Sequence, residues 1–457
     1  MDQTRLQQRL DELCETYVVP GATAAVLRDG VVTSAASGIA NLSTGLPVRQ
    51  DTLFAAGSIT KVFTCSLLMT CVDEGLVGLD DHVTAYLPDF RVGDGDRSSR
   101  ITVRMLLNHT CGLAANFMPA QRKGPHVLTE FVRLIEAHSV VGEPGGHWSY
   151  SNAGTVTAGA VIEAATGRTW DEALEERILR PLGLNATTDT DRMILQSTAV
   201  GHEVDPGATS AQRSDLFQIA PGMAPAGSTL FCDVHALIAF ARMHLAGGVA
   251  ADGRRVLSRE ATELMRARSV DTMWGFEQAE FGLGWHRRPT PAGPVVGHGG
   301  GNIGQISLLE TLPDQQGALA VLTNGNQGAL LVEALKTEVL QECFGVAPFV
   351  RPTPSGEQVE IDLEPFTGRY EAPHGTATVR VVDGHLQAEI EDEEMLARWY
   401  RTMRHPSPPA AKLIPTGEPG RFLAEYGPLF PYVPAEFREY ENGSPTLFRY
   451  IASYERV

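Results

Sequence analysis

Ser58 and Lys61 are the pair in this chain whose types and spacing can do covalent chemistry. They lie in Phe54-Ala55-Ala56-Gly57-Ser58-Ile59-Thr60-Lys61-Val62-Phe63, and an apolar run continues to Cys71. Residues three apart on a helix share a face about one turn apart, so a lysine amine there can rest against the serine hydroxyl. Serine is a weak nucleophile until a neighbouring base takes its proton, and a lysine becomes such a base when burial lowers its pKa. Ser-x-x-Lys at the start of a buried helix therefore reads as an acyl-accepting serine with its own base. An arbitrary Ser-x-x-Lys is more often a helix cap followed by a solvated lysine. Here lysine occurs only at 61, 123, 336 and 412, and none of the other three has a serine three residues before it. Lys61 also sits among apolar residues, where a solvated charge is not expected.

Two more polar groups stand further along. The stretch Gly142-Glu143-Pro144-Gly145-Gly146-His147-Trp148-Ser149-Tyr150-Ser151-Asn152 is forced into a loop by its Pro and Gly, and a helical pattern resumes over 153–166. Tyr150 offers a phenol that can relay a proton, and Asn152 an amide that can hold a substrate backbone. Tyr-x-Asn alone is a weak signal: Tyr440-Glu441-Asn442 has the same form and reads as a turn before Gly443. The third group is Val295-Val296-Gly297-His298-Gly299-Gly300-Gly301-Asn302. Glycines clustered in a strand mark backbone that another group must approach closely. His109, between Asn108 and Thr110 in a tight loop, reads as structural.

The elements that must position these groups follow from pattern. At 457 residues the chain exceeds the size at which one core keeps growing, so two domains are expected. A net charge of −18 argues against nucleic acid or an anionic membrane surface as partner. Six cysteines (14, 65, 71, 111, 232, 343) lack metal-ligand spacing and read as reduced core thiols; no metal and no cofactor is expected. Leu6, Leu10, Leu13 and Tyr17 give residues 1–17 an amphipathic helical stripe without the apolar region of a signal peptide. No apolar run approaches the ~20 residues of a membrane span, so a soluble, cytoplasmic protein is expected.

Strands are expected at 22–27 and 31–36 around an Arg28-Asp29-Gly30 turn, and at 281–286, 305–309 and 318–322. Helices are expected at 76–87, 101–107, 233–245 (after a turn at 225–228) and 330–343. From Gly345 the character changes. Pro348, Pro352 and Pro354 mark a linker. Beyond it 376–382 and 385–390 alternate around Asp383-Gly384, with further strands at 366–370 and 447–454. This divides the chain into a first domain over 1–345, a linker over 346–358 and an all-β barrel over 359–457.

Ser58/Lys61, Tyr150/Asn152 and His298/Gly300, in this order, resemble the serine β-lactamase and penicillin-binding-protein family, whose members carry Ser-x-x-Lys on a helix, Tyr-x-Asn on a loop and Lys-Thr-Gly or His-x-Gly on an edge strand. Leu106-Leu107-Asn108-His109-Thr110-Cys111-Gly112-Leu113 is similar to a segment of the class C-like members. The likeness covers about residues 5–345. It implies an α+β domain, an α/β sandwich whose antiparallel sheet is flanked by helices. It also implies that Ser58 is the nucleophile, Lys61 its base and Tyr150 the proton relay, with Asn152 on the substrate's amide side. His298, where many members have lysine, would donate a hydrogen bond to Tyr150 or to a substrate carboxylate. The oxyanion hole would be the N–H groups of Ser58 and Gly301, with Gly299 and Gly300 lining the substrate.

A class C-like core followed by a small lipocalin-like barrel resembles two groups, the D-stereospecific aminopeptidases and the stand-alone penicillin-binding-protein-type thioesterases. The thioesterases take a peptidyl thioester from a peptidyl carrier protein of a nonribosomal peptide pathway and release it as a macrocycle. Macrocyclisation is the reading adopted. D-aminopeptidase, amidase or esterase activity is the alternative; DD-carboxypeptidase, β-lactamase and a non-catalytic acyl sensor stand behind these. In the thioesterase group an arginine of the C-terminal domain meets the carboxylate-bearing end of the substrate, which points to Arg449, with Arg456 second.

Overall fold

The computed structural model describes the whole chain except residues 94–95, 114–123, 125, 138–140, 206–207, 357–358, 373–374, 393–409, 426–430 and 451. Lys123 and the last two linker positions thus lie outside the described residues. The first domain is built on a nine-stranded antiparallel sheet. Its strand order is Leu46–Pro47, Val31–Asn41, Gly21–Arg28, Gly317–Thr323, Gln305–Leu312, Val295–Asn302, His286–Arg288, Glu280–Phe281, Val270–Asp271. The central strand Gly317–Thr323 is buried along its whole length. A near-continuous apolar strand is what a sheet covered on both faces requires.

One face is covered by the helices Gln3–Thr16 and Gly328–Phe344, whose Leu6, Leu10, Leu331, Leu335 and Val339 pack on Leu308, Leu319 and Val321. The first helix begins where the Asp2 carboxylate accepts from the Arg5 N–H, leaving its leucine stripe facing the sheet. The other face carries Thr60–Asp73, Asn152–Thr166 and Val234–Leu245. Thr60–Asp73 is buried from Thr60 to Cys71, and apolar residues surround it on every side. A helix of that kind belongs in the middle of a core, so Ser58 is delivered to the molecule's interior face. All six cysteines are free and buried.

The C-terminal domain is a closed antiparallel barrel of eight strands, Gly368–Ala372, Gly375–Val382, His385–Asp392, Ala410–Pro415, Arg421–Glu425, Tyr432–Glu441, Ser444–Tyr450 and Ala452–Arg456. The first strand pairs with the last through Tyr370 and Arg456, which leaves no unpaired edge. Phe422, Phe437, Phe448 and Tyr370 fill its interior.

Three expected elements differ. Residues 76–87 are not a helix: only Val83–Ala85 makes a single 3-10 turn. The Asp81 carboxylate accepts from the Gly78 N–H at 3.2 Å and the Tyr86 hydroxyl at 2.5 Å, and so holds the backbone in turns. Residues 281–286 are not one strand but a tight hairpin, with Phe281 paired to His286. Gly284 turns it at φ +78°, where a Cβ would meet the Cys65 Sγ at 2.6 Å. Residues 447–454 likewise divide between two strands, paired through Phe448 and Tyr454. Alternation along a strand continues across a short turn, so the pattern hides the turn.

Candidate active site

Ser58 occupies a 3-10 turn, Gly57–Ile59, that runs directly into the helix Thr60–Asp73. The turn follows the short strand Phe54–Ala55, so the chain must reverse in two residues, and Gly57 does this at φ +54°. A Cβ on Gly57 would sit 2.5 Å from the Gly301 N, and one on Gly300 would sit 2.2 Å from the Ala56 O and 3.1 Å from the Ser58 N. The missing side chains let the turn and the His298 strand touch backbone to backbone. The N–H groups of Ser58 and Gly301 therefore lie on adjoining segments, an arrangement that can hold an oxyanion. Side chains fix the contact. Ser307 Oγ donates to the Ala56 O at 2.7 Å, and Asn302 Nδ2 donates to the Gly227 and Ser228 carbonyls, both at 3.2 Å.

Lys61 is 1% exposed. Its Nζ donates to Ser58 Oγ at 3.0 Å and to the Ala226 O at 2.6 Å. Burial pushes its pKa down to about 7, with a small opposing effect from Cys65. A lysine with that pKa is in large part a free amine at neutral pH, able to take the Ser58 proton. The rate of Ser58 acylation is accordingly expected to rise about tenfold per pH unit below about pH 6 and to level off above about pH 8. Stopped-flow acylation over pH 5–9 checks this; a flat profile would remove Lys61 as the titrating base.

Tyr150 and Asn152 are placed by a helix start. Ser151 caps Asn152–Thr166 by accepting from the Gly154 N–H. His109, at φ +60°, holds the loop on both sides of Tyr150: its O accepts from the Ser149 N–H at 2.8 Å and its Nδ1 from the Ser151 N–H at 3.2 Å. The expected structural part of His109 is therefore seen, and its ring also walls the site, 4.6 Å from the Tyr150 ring. Lys61 Nζ stands 5.0 Å from the Tyr150 ring centroid, and Asn152 is buried at the helix start.

His298 completes the group, its ring 6.1 Å from that of Tyr150. Its neighbour is His286, at 4.8 Å, a residue that sequence reasoning did not single out. The register of His286 against Gly297 brings it there, a register visible only once the 281–286 hairpin is recognised. Burial holds His109 and His298 well below the usual imidazole range and His286 down to about 4, the nearby Lys61 adding to each shift. All three are neutral near pH 7, and they do not form a metal-binding group. The expected donor part of His298 is corrected by its hydrogen bond. Nδ1 donates to the Gly299 O at 2.5 Å, and Nε2 of the neutral ring is then an acceptor. Gly299 is exposed and Gly300 and Gly301 half-buried, so the strand offers backbone at the site.

The barrel reaches this site through the loop before Tyr150. Arg449 donates to the Trp148 O at 2.7 Å, Ser149 Oγ donates to Ser453 Oγ at 3.0 Å, and the Gly142 N–H donates to Glu455 at 2.6 Å. Arg449 is buried and ion-paired with the equally buried Glu436. Its guanidinium thus faces Glu436 and a carbonyl rather than standing open to a substrate carboxylate, as the resemblance had implied. Arg456 is held within the barrel by the Pro365 and Thr367 carbonyls.

The chain is similar in sequence and in fold to several known proteins. A family model described as Beta-lactamase matches residues 6–343. Penicillin-binding protein 4 of Amycolatopsis lactamdurans is 34% identical over 380 residues, 82% of this chain and 99% of that protein. A D-aminopeptidase of Brucella anthropi is 33% identical, over 45% of this chain and 39% of its own length. Among solved structures, SurE matches 100% of this chain and 99% of its own at 27% identity with a TM-score of 0.81, and it is also solved with D-Leu. With Ser58, Lys61, Tyr150 and His298 gathered at one seam of an α+β domain, the chain belongs to the β-lactamase and penicillin-binding-protein family of serine hydrolases and acyltransferases.

Proposed function

We propose that this protein is a serine acyltransferase that takes a peptidyl group from a thioester onto Ser58 and releases it by attack of the peptide's own amine, giving a head-to-tail macrocycle. The observation that carries the covalent step is the Lys61 Nζ–Ser58 Oγ hydrogen bond at 3.0 Å, made by a lysine whose pKa is near 7. Lys61 takes the serine proton, Oγ attacks the thioester carbonyl, and the N–H groups of Ser58 and Gly301 hold the oxyanion while the thiolate leaves. Tyr150, beside Lys61, carries protons to and from the leaving and entering groups, and Asn152 holds the acyl donor's amide. Gly299 and Gly300 supply strand backbone for the substrate.

The full-length likeness to SurE, barrel included, and the D-Leu solved with that protein support a peptide substrate with a D-residue at the acyl end. A peptidyl carrier protein is the proposed donor, in keeping with a cytoplasmic setting; no helix among the described residues is long and apolar enough to cross a membrane. The second reading, hydrolysis of D-amino-acyl peptides or amides, is favoured by the D-aminopeptidase relative. Mass spectrometry of the products from a peptidyl thioester ending in a D-residue separates them. A product one water lighter than the linear acid is expected; linear acid alone would establish the hydrolase.

A further inference from the structure

The His298 ring is 3% exposed, and its Nε2 has no hydrogen-bond partner among the described residues. Its Nδ1–H is committed to the Gly299 O, so the buried Nε2 presents a lone pair. An unpaired acceptor at this depth is costly unless a donor arrives during function. Alternate residues of a strand share a face, about 7 Å apart. His298 therefore points to the same side as the Gly300 Cβ position, which lies 3.1 Å from the Ser58 N. His298 thus stands one strand step from Gly300, on the face of the strand that turns toward the Ser58 turn.

A lone pair repels a carboxylate and accepts from N–H or O–H. The walls decide between these donors. The rings of His286 and Tyr150 lie 4.8 and 6.1 Å from that of His298, and Phe281 and Trp148 stand behind them, Phe281 4.8 Å from His286 and 6.0 Å from Trp148. Such rings pack against a carbon skeleton, which an amine of a peptide carries and water lacks.

We infer that His298 is the docking point for the amine that releases the acyl group, Nε2 accepting one of its N–H bonds while its lone pair faces the ester carbonyl. This rests on the acyl-enzyme reading above and names its acceptor. In the step, the amine nitrogen bonds to the carbonyl carbon and the carbon–Oγ bond breaks. One amine proton stays on the product amide, hydrogen-bonded to Nε2. The other passes by way of Tyr150 and the Lys61 amine to Ser58 Oγ, restoring the hydroxyl.

The test is competition between amine and water for one acyl-enzyme, formed from an N-acyl-D-phenylalanyl thioester with glycinamide or its N-methyl analogue as acceptor. The amide-to-acid ratio does not depend on how fast the acyl-enzyme forms. A primary amine keeps one N–H for Nε2 while losing another, whereas the N-methyl amine has one N–H in all. The unaltered protein is expected to favour glycinamide by about tenfold, the effect of one hydrogen bond. His298→Leu and His298→Lys should lower the amide-to-acid ratio by about the same factor, and His298→Gln, which can accept through its amide oxygen, should restore most of it. Equal partition of the two amines in the unaltered protein, or an unchanged ratio in His298→Leu, overturns the inference. If the unaltered protein forms no Ser58 adduct, the acyl-enzyme reading itself fails; an adduct with either overturning result fails only the acceptor assignment.

Discussion

Ser58→Ala is expected to bring turnover to the uncatalysed floor, a loss on the order of 10⁶-fold, with no adduct in the intact mass. Lys61→Met should cost nearly as much, and the double variant no more than either single one, because the two side chains act as a unit through one hydrogen bond. Lys61→Arg should not rescue, since a guanidinium stays protonated and cannot take the Ser58 proton. Stability should move the other way. The folded pKa of Lys61, about 7, lies below its ordinary value of 10.5, so burying the amine costs most below pH 7, and the cost fades as pH rises toward 10.5. Lys61→Met removes that cost, so the variant should be more stable than the parent, most clearly in the acid range. Losses that add in the double variant would mean that Lys61 is not the base of Ser58.

How much of this was legible in the sequence depends on the distance over which each feature is encoded. The Ser58 helix, the Ser151-capped helix and the Asp383-Gly384 hairpin are local patterns, and the structure has each of them. The scarcity of lysine and the glycines flanking His298 marked the site for the same reason. A catalytic lysine must be buried, and a strand that touches the serine turn backbone to backbone cannot carry a side chain at the point of contact, Gly300. His286 was missed because its place depends on a hairpin only one turn long, which period-2 alternation conceals. The protonated nitrogen of His298 was illegible for a different reason: it is set by one hydrogen bond to a backbone carbonyl, and no residue type announces that. The contact between barrel and catalytic loop lies further still from local pattern, joining residues about 300 positions apart.

That contact makes a specific demand on Arg449. Arg449→Ala takes from the buried Glu436 carboxylate its buried partner and leaves it only the half-exposed Arg438 at 3.2 Å, so the loss should approach but not reach the about 3–5 kcal/mol of a fully broken buried pair. The barrel should therefore melt earlier. Turnover should fall as well, because the Trp148 carbonyl that Arg449 holds lies two residues before Tyr150. Pairing Arg449→Met with Glu436→Leu separates the two effects. An apolar pair of similar volume removes the stranded charge, so stability should return to near the parent value. The Trp148 carbonyl still lacks its donor, so kcat should stay low for every acyl donor while KM changes little. That pattern is the signature of a residue acting through the position of Tyr150. Direct recognition of a substrate carboxylate by Arg449 would give a different one: a rise in KM confined to substrates that carry the carboxylate, with kcat restored along with stability. Thermal melts and kinetics on amide- and acid-terminated peptides, run on the same two variants, decide between a loop anchor and a substrate ligand.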